Sequence, residues 1–314
     1  MAYARTYRRR RTTARPRKRT VYRRKSTYRR KRTTRVSRPL RRKILKVSAV
    51  KKQNSMASTN NANDENPIGR VTLPNYVNGF LWCPTYMNLE QADVTPHARQ
   101  RENIYFRGFQ EKWTIANGEF ADIYHRRVVF WHDARIEIAA PVQSSVSDTT
   151  FFRPLNLIDF STGDGAILLR TLFKGTENID WKNVLNATVD KSRVRLVSDR
   201  IRKVRSTVAH STLEAPTDTR IMPTASARYN TPTFVNKSVR YDDEEVGAFD
   251  RVDDPPAVEP RGSPWATFRG GSSGNLYVFD LFSINASSTF ELELPVDSNP
   301  PDVAVDSTVY WHEK

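Results

Sequence analysis

The first 63 residues carry 24 Lys and Arg and no Asp or Glu. Such a stretch cannot fold by itself. It has almost nothing apolar to bury, and like charges at this density repel, so nothing offsets the loss of chain entropy. The residues that follow read differently: they hold 27 Lys and Arg against 34 Asp and Glu, a net of −7, although the whole chain is +17. A mildly acidic fold therefore stands behind a strongly basic arm, and that asymmetry points to a polyanionic partner for the arm. Residues 1–52 are expected to form the arm, disordered when free. Residues 53–69, polar and free of Lys and Arg, read as a flexible linker. Residues 70–314 are left for one folded domain.

Within the arm the cations come in clusters: Arg8, Arg9, Arg10 and Arg11; Arg15, Arg17, Lys18 and Arg19; Arg23, Arg24 and Lys25; Arg29, Arg30, Lys31 and Arg32; Arg41, Arg42 and Lys43. Each phosphate neutralised by such a group releases condensed counterions and contributes a log–log salt slope of about −0.7 on a single strand. Arg outnumbers Lys, which favours bidentate contact with phosphate. Tyr22 and Tyr28, like Tyr3 and Tyr7, sit among the basic residues, where a ring can stack on an unpaired base. A nuclear localisation signal needs only about 5–8 basic residues. Recognition by a nuclear import receptor is therefore expected as a second use of the arm, beside nucleic-acid binding.

From residue 70 the pattern becomes short strands bounded by turn chemistry. The expected strands are 104–115, 123–131, 135–140, 166–173, 188–197, 200–208, 234–241, 275–285, 288–294 and 303–311. One short helix is expected at 177–186 with Thr176 as its N-cap, and 250–274 reads as a long surface loop. Many short strands in about 250 residues imply an all-β fold, a single antiparallel sandwich or barrel. Cys83 is the only cysteine, so no disulfide forms within the chain. No apolar run reaches the ~18 residues of a membrane span, and no apolar segment follows the basic start as in a signal peptide. Cytosol and nucleus are the expected compartments, and the sequons at Asn186, Asn236 and Asn285 are expected to be unused.

Several residues of the domain are candidates for chemistry. Arg126 and Arg127 in one strand, and Arg193, Arg195, Arg200, Arg202, Lys203 and Arg205 in another region, would line a surface facing nucleic acid or else form an ordinary solvent face or interface salt bridges. Trp82, with Phe80 and Tyr86, is a base-stacking candidate whose alternative is a place in the core. The run Asp242, Asp243, Glu244 and Glu245 offers oxygens to a hard cation but lacks the alternating spacing of a known loop. His125, His132 and Asp133 are weak as metal ligands. The chain has no G-x-x-x-x-G-K-[ST], H-E-x-x-H, G-x-S-x-G or paired-Cys motif, so neither catalysis nor a cofactor or resident metal is expected.

Seven blocks carry a family resemblance: MAYARTYRRRR at 1–11, IYFRGFQEKW at 104–113, HRRVVF at 125–130, LFKGTENIDW at 172–181, VDKSRVRL at 189–196, KSVRYDDEE at 237–245 and YWHEK at 310–314. In these the chain resembles the capsid proteins of genomoviruses, viruses with circular single-stranded DNA related to the geminiviruses. The resemblance implies a jelly-roll shell domain at 70–314 and a small icosahedral shell of about sixty copies around a single-stranded DNA genome. It also implies a place in the virion and the host nucleus. Two other classes share part of the pattern. A chromatin- or ribosome-associated binding protein would share the arm without needing so large a β domain, and a nuclease would need a metal-binding constellation.

Overall fold

The computed structural model describes residues 49–60, 69–89, 97–116, 122–143, 151–161, 163–205, 226–241, 263–267, 272–288, 290, 292–295 and 300–313. The chain divides into two units, Met1–Leu45 and Lys46–Lys314. The first lies outside the described residues, as do Asp242 to Glu245 and most of the loop expected at 250–274.

The second unit is an all-β sandwich. Its strands are β1 (Val50–Thr59), β2 (Val71–Thr72), β3 (Val77–Trp82), β4 (Asn103–Ala116), β5 (Asp122–His132), β6 (Val142–Gln143), β7 (Phe151–Pro154), β8 (Arg195–Arg205), β9 (Ser226–Tyr241), β10 (Ala266–Thr267), β11 (Asn275–Ile284) and β12 (Asp302–Glu313). One sheet runs β10-β9-β4-β12-β1-β7-β6, with β2 beside β12; the other runs β3-β11-β5-β8. Along β4 and β12 every second residue turns inward, as a half-buried strand requires: Phe109, Glu111, Trp113 and Ile115 on β4 lie opposite Val309, Ser307, Val305 and Val303 on β12.

The sheet of β3, β11, β5 and β8 is covered on both faces. One face meets the larger sheet through Trp82, Trp131, Val129 and Val278 against Phe106, Phe109 and Trp311. The other packs Val128, Phe130, Phe279 and Leu281 beneath a helix, α1 (Gly163–Leu172), and the turns that follow it. This double cover explains why β11 is buried along its whole length and reads as a nearly unbroken apolar run. At the bulge between Phe106 and Gly108 of β4, Gly108 has φ +139°, and a Cβ there would lie 2.0 Å from the Thr233 carbonyl oxygen. Only glycine fits.

Several expectations need correction. The segment 53–59 is no linker: it belongs to β1, which pairs residues 50–57 with β12. Its polar inward groups are satisfied. Ser58 Oγ donates to the Gly69 carbonyl at 3.2 Å and accepts from Val305 N at 3.1 Å, so low hydrophobicity does not bar it from the sheet. The domain therefore begins near residue 50, and the arm ends earlier than residue 52. Residues 166–173 fall mainly in α1 rather than a strand, with Leu168, Leu169 and Leu172 buried at helical spacing. Residues 177–186 form successive turns instead of a helix, and 135–140 contain a 3-10 turn at Glu137–Ala139 instead of a strand. The two strands expected at 188–197 and 200–208 are one, β8. Of 288–294, the described residues contribute only a bridge from Glu293 to Asn75.

Candidate nucleic-acid interface

Of the arm, the clusters from Arg8 to Lys43, with Tyr22 and Tyr28, lie outside the described residues. Lys51 and Lys52, at its expected end, are inside the fold. Lys51 is exposed on the outward face of β1. Lys52 turns inward: its Nζ stands 3.1 Å from Glu313 Oε2 and donates to the Ala98 carbonyl and Gln100 Oε1, each at 2.8 Å. One belongs to the surface and the other to the core.

Arg126 and Arg127 face opposite sides of β5 and neither reaches solvent, which removes them as nucleic-acid contacts. Arg126 points toward the helical layer. It donates to both carboxylate oxygens of Asp199, at 3.0 and 2.7 Å, and to the carbonyls of Val184 and Ala187, with Phe173 beneath its guanidinium. Arg127 points between the sheets into an ionic lattice. Arg153 Nε donates to Glu111 Oε1 at 2.6 Å and Arg153 Nη2 to Asp280 Oδ2 at 2.6 Å. Arg127 pairs with Glu111 through Nη2 and gives Thr231 Oγ1 a hydrogen bond of 2.6 Å. His125 donates from Nε2 to Asp280 Oδ1 at 2.7 Å, and its Nδ1 is 2.6 Å from the Tyr229 hydroxyl.

Two guanidinium groups thus balance two carboxylates in the core, the condition under which buried charge is tolerated. Burial pulls Arg127 and Arg153 down to about 10. Burial alone would raise Asp280, but Arg127, His125 and Arg153 outweigh it and hold that carboxyl well below its ordinary range. Sequence reasoning passed over this lattice. Glu111 shares the inward phase of Phe109 and Trp113, and Asp280 stands alone in the apolar run LYVFDLFSI; those two signals were available.

Trp82 is fully buried, edge-on to Phe109 with Arg153 above its ring. It is a core residue and cannot stack on a base. Phe80 is equally buried. Three members of the second basic group have partners at the surface. Arg193 pairs with Asp190 at 3.4 Å and donates to the Arg170 carbonyl. Arg195 donates to the Ser273 carbonyl, and Lys203 pairs with Asp122 at 2.7 Å. Arg200 and Arg202 are exposed on the edge strand β8, Arg202 lying 4.2 Å from the Tyr229 ring centre. Arg193, Arg195, Arg200, Arg202 and Lys203 are all exposed, so these pairings leave the cationic surface open to solvent.

The outward face of the larger sheet was not singled out from the sequence, yet its cations and rings are adjacent. Lys51, His312 and Tyr105 form one cross-strand row, and Tyr310, Gly108 and Phe234 the next. Arg107 is exposed at the bulge between the rows. Tyr105 is 39% exposed and Phe234 76%. Partial burial, then the positive charges of Arg107 and Lys51, lowers His312 from the ordinary imidazole value. Asp306, an outward carboxylate of β12, stands four residues along from Tyr310 and opposite Lys112. The signal lay in IYFRGFQEKW, where Tyr105 and Arg107 occupy positions left out of the core.

Among the described residues no group of His, Cys, Asp and Glu is arranged to hold a metal ion. His125 is inside the lattice, whereas His132 accepts from Ala134 N and lies 3.7 Å from Asp133 at the surface. Cys83 is a buried free thiol, pushed up to about 12 by that burial. No protein-family model matches the chain, and comparison with curated proteins gives no match.

Proposed function

We propose that the chain is a viral coat protein. Its domain is a jelly roll that self-assembles into a small icosahedral shell of about sixty copies, and its basic arm packages circular single-stranded DNA. The observation that carries this reading is the allocation of strands. The eight longest strands of the sandwich fall into two blocks, β9-β4-β12-β1 and β3-β11-β5-β8. Two four-stranded blocks sharing eight strands are the architecture of the jelly roll, used by many capsids. Because folds host many functions, the arm supplies the second support. Sixty copies gathered in a shell would bring about 1,300 positive charges of residues 1–48 to the lumen, and counterion release would drive packaging. The same residues serve import into the host nucleus, and the protein resides there and in the virion.

Negative-stain microscopy of the purified full chain tests the proposal. Uniform closed shells protecting single-stranded DNA from nuclease are expected. Monomers or small open oligomers that protect none would overturn it.

A further inference from the structure

We infer that the folded domain carries its own base-binding slot, formed by Tyr310 and Phe234 on either side of Gly108. The three residues are direct cross-strand neighbours on β12, β4 and β9. Two strand spacings, about 9.5 Å at the backbone, separate the aromatic pair, and glycine puts no side chain between them. A flat base needs such a gap to lie against rings on both sides. If Phe234 merely covered the bare glycine it would be buried by that contact, but it is 76% exposed. An apolar ring so exposed on a sheet face gains by accepting a planar partner.

The surroundings select the partner. Lys51, in the row beside the slot, and Arg107, at the bulge next to Gly108, are exposed and stand within the charge field of His312. Cations next to exposed rings fit a single strand, whose phosphates and unpaired bases are taken together. A basic sheet face would repel a second identical face. The 22 Lys and Arg of residues 1–48 also precede β1 directly in the chain, so a strand held by the arm is supplied at high local concentration. The inference rests on the coat-protein reading only for the identity of its ligand as single-stranded DNA.

The test uses the full chain and an oligothymidylate substituted with 5-iododeoxyuridine, photo-crosslinked and mapped by peptide mass spectrometry. Crosslinks are expected at Phe234 and Tyr310. Phe234→Ala and Tyr310→Ala should each remove the crosslink at the slot and weaken binding about fivefold. Lys51→Gln with Arg107→Gln should reduce the salt slope by about 1.4. Thermal melts matching the parent would show that these positions are not structural. Crosslinks confined to residues 1–48, with parental affinity in all variants, would overturn the slot and leave the arm's role standing. Variants that bind DNA normally but fail to form shells would also overturn it, in favour of a surface between copies. No binding of the oligonucleotide by the full chain would remove both this inference and the packaging role.

Discussion

An Arg153→Met variant is expected to lose about 3–5 kcal/mol of stability, because removing one partner strands the others in a buried ionic lattice. Arg153 spans Glu111 on β4 and Asp280 on β11, one from each sheet. Without it, two carboxylates share Arg127 and one must remain uncompensated in the core. Since whole domains are stable by about 5–15 kcal/mol, many copies would fail to fold at growth temperature. Urea unfolding followed by tryptophan fluorescence measures the loss, and a change below about 1 kcal/mol would contradict the account. Acid should act through the same lattice. Asp280 is held below its ordinary value, so its contribution is complete above about pH 4, the unfolded value, and declines as pH falls from there through the folded value. Asp280→Asn should lower stability at neutral pH and flatten its fall in acid.

Removing residues 1–48 is expected to leave a folded, shell-forming domain whose encapsidated DNA falls sharply. Those residues carry 22 of the 51 Lys and Arg, and each lost phosphate contact removes about 0.7 from the salt slope. The ratio of absorbance at the nucleic-acid and protein maxima of purified particles reads the DNA content directly. Particles as full as the parent's would end the packaging role of the arm. The position of the cut matters. Removing residues 1–52 takes away the first three residues of β1 and leaves Glu313 without the Lys52 ammonium. That shell should be less stable as well as emptier, a difference visible in thermal melts of the two truncations.

Four of the longer strands were legible because their environment is simple: β4, β5, β11 and β12 put apolar residues on a face that water never meets, whereas β9 was expected only from 234 and begins at Ser226. β1 was hidden because its inward residues include Lys52 and Ser58, which are buried because Glu313 and Val305 offer them partners far along the chain. No local pattern encodes those partners. The run AILLRTLF was read as a strand because a short apolar stretch fits either period. The choice was settled by the helical layer covering the smaller sheet. Arg126 and Arg127 show the same limit of local reading for the site: a buried, paired arginine and a solvent-facing one have the same sequence signature until Asp199, Glu111 and Asp280 are placed beside them.

The pairing of β1 with β12, Val50 opposite Glu313 through Ala57 opposite Asp306, joins the earliest and latest strands of the domain, and β12 also pairs with β4. Of the strands, β1 leaves the ribosome first, and about 240 residues separate its end from the start of β12. A chain lacking residues 302–313 has a gap in the middle of its larger sheet, between β4 and β1.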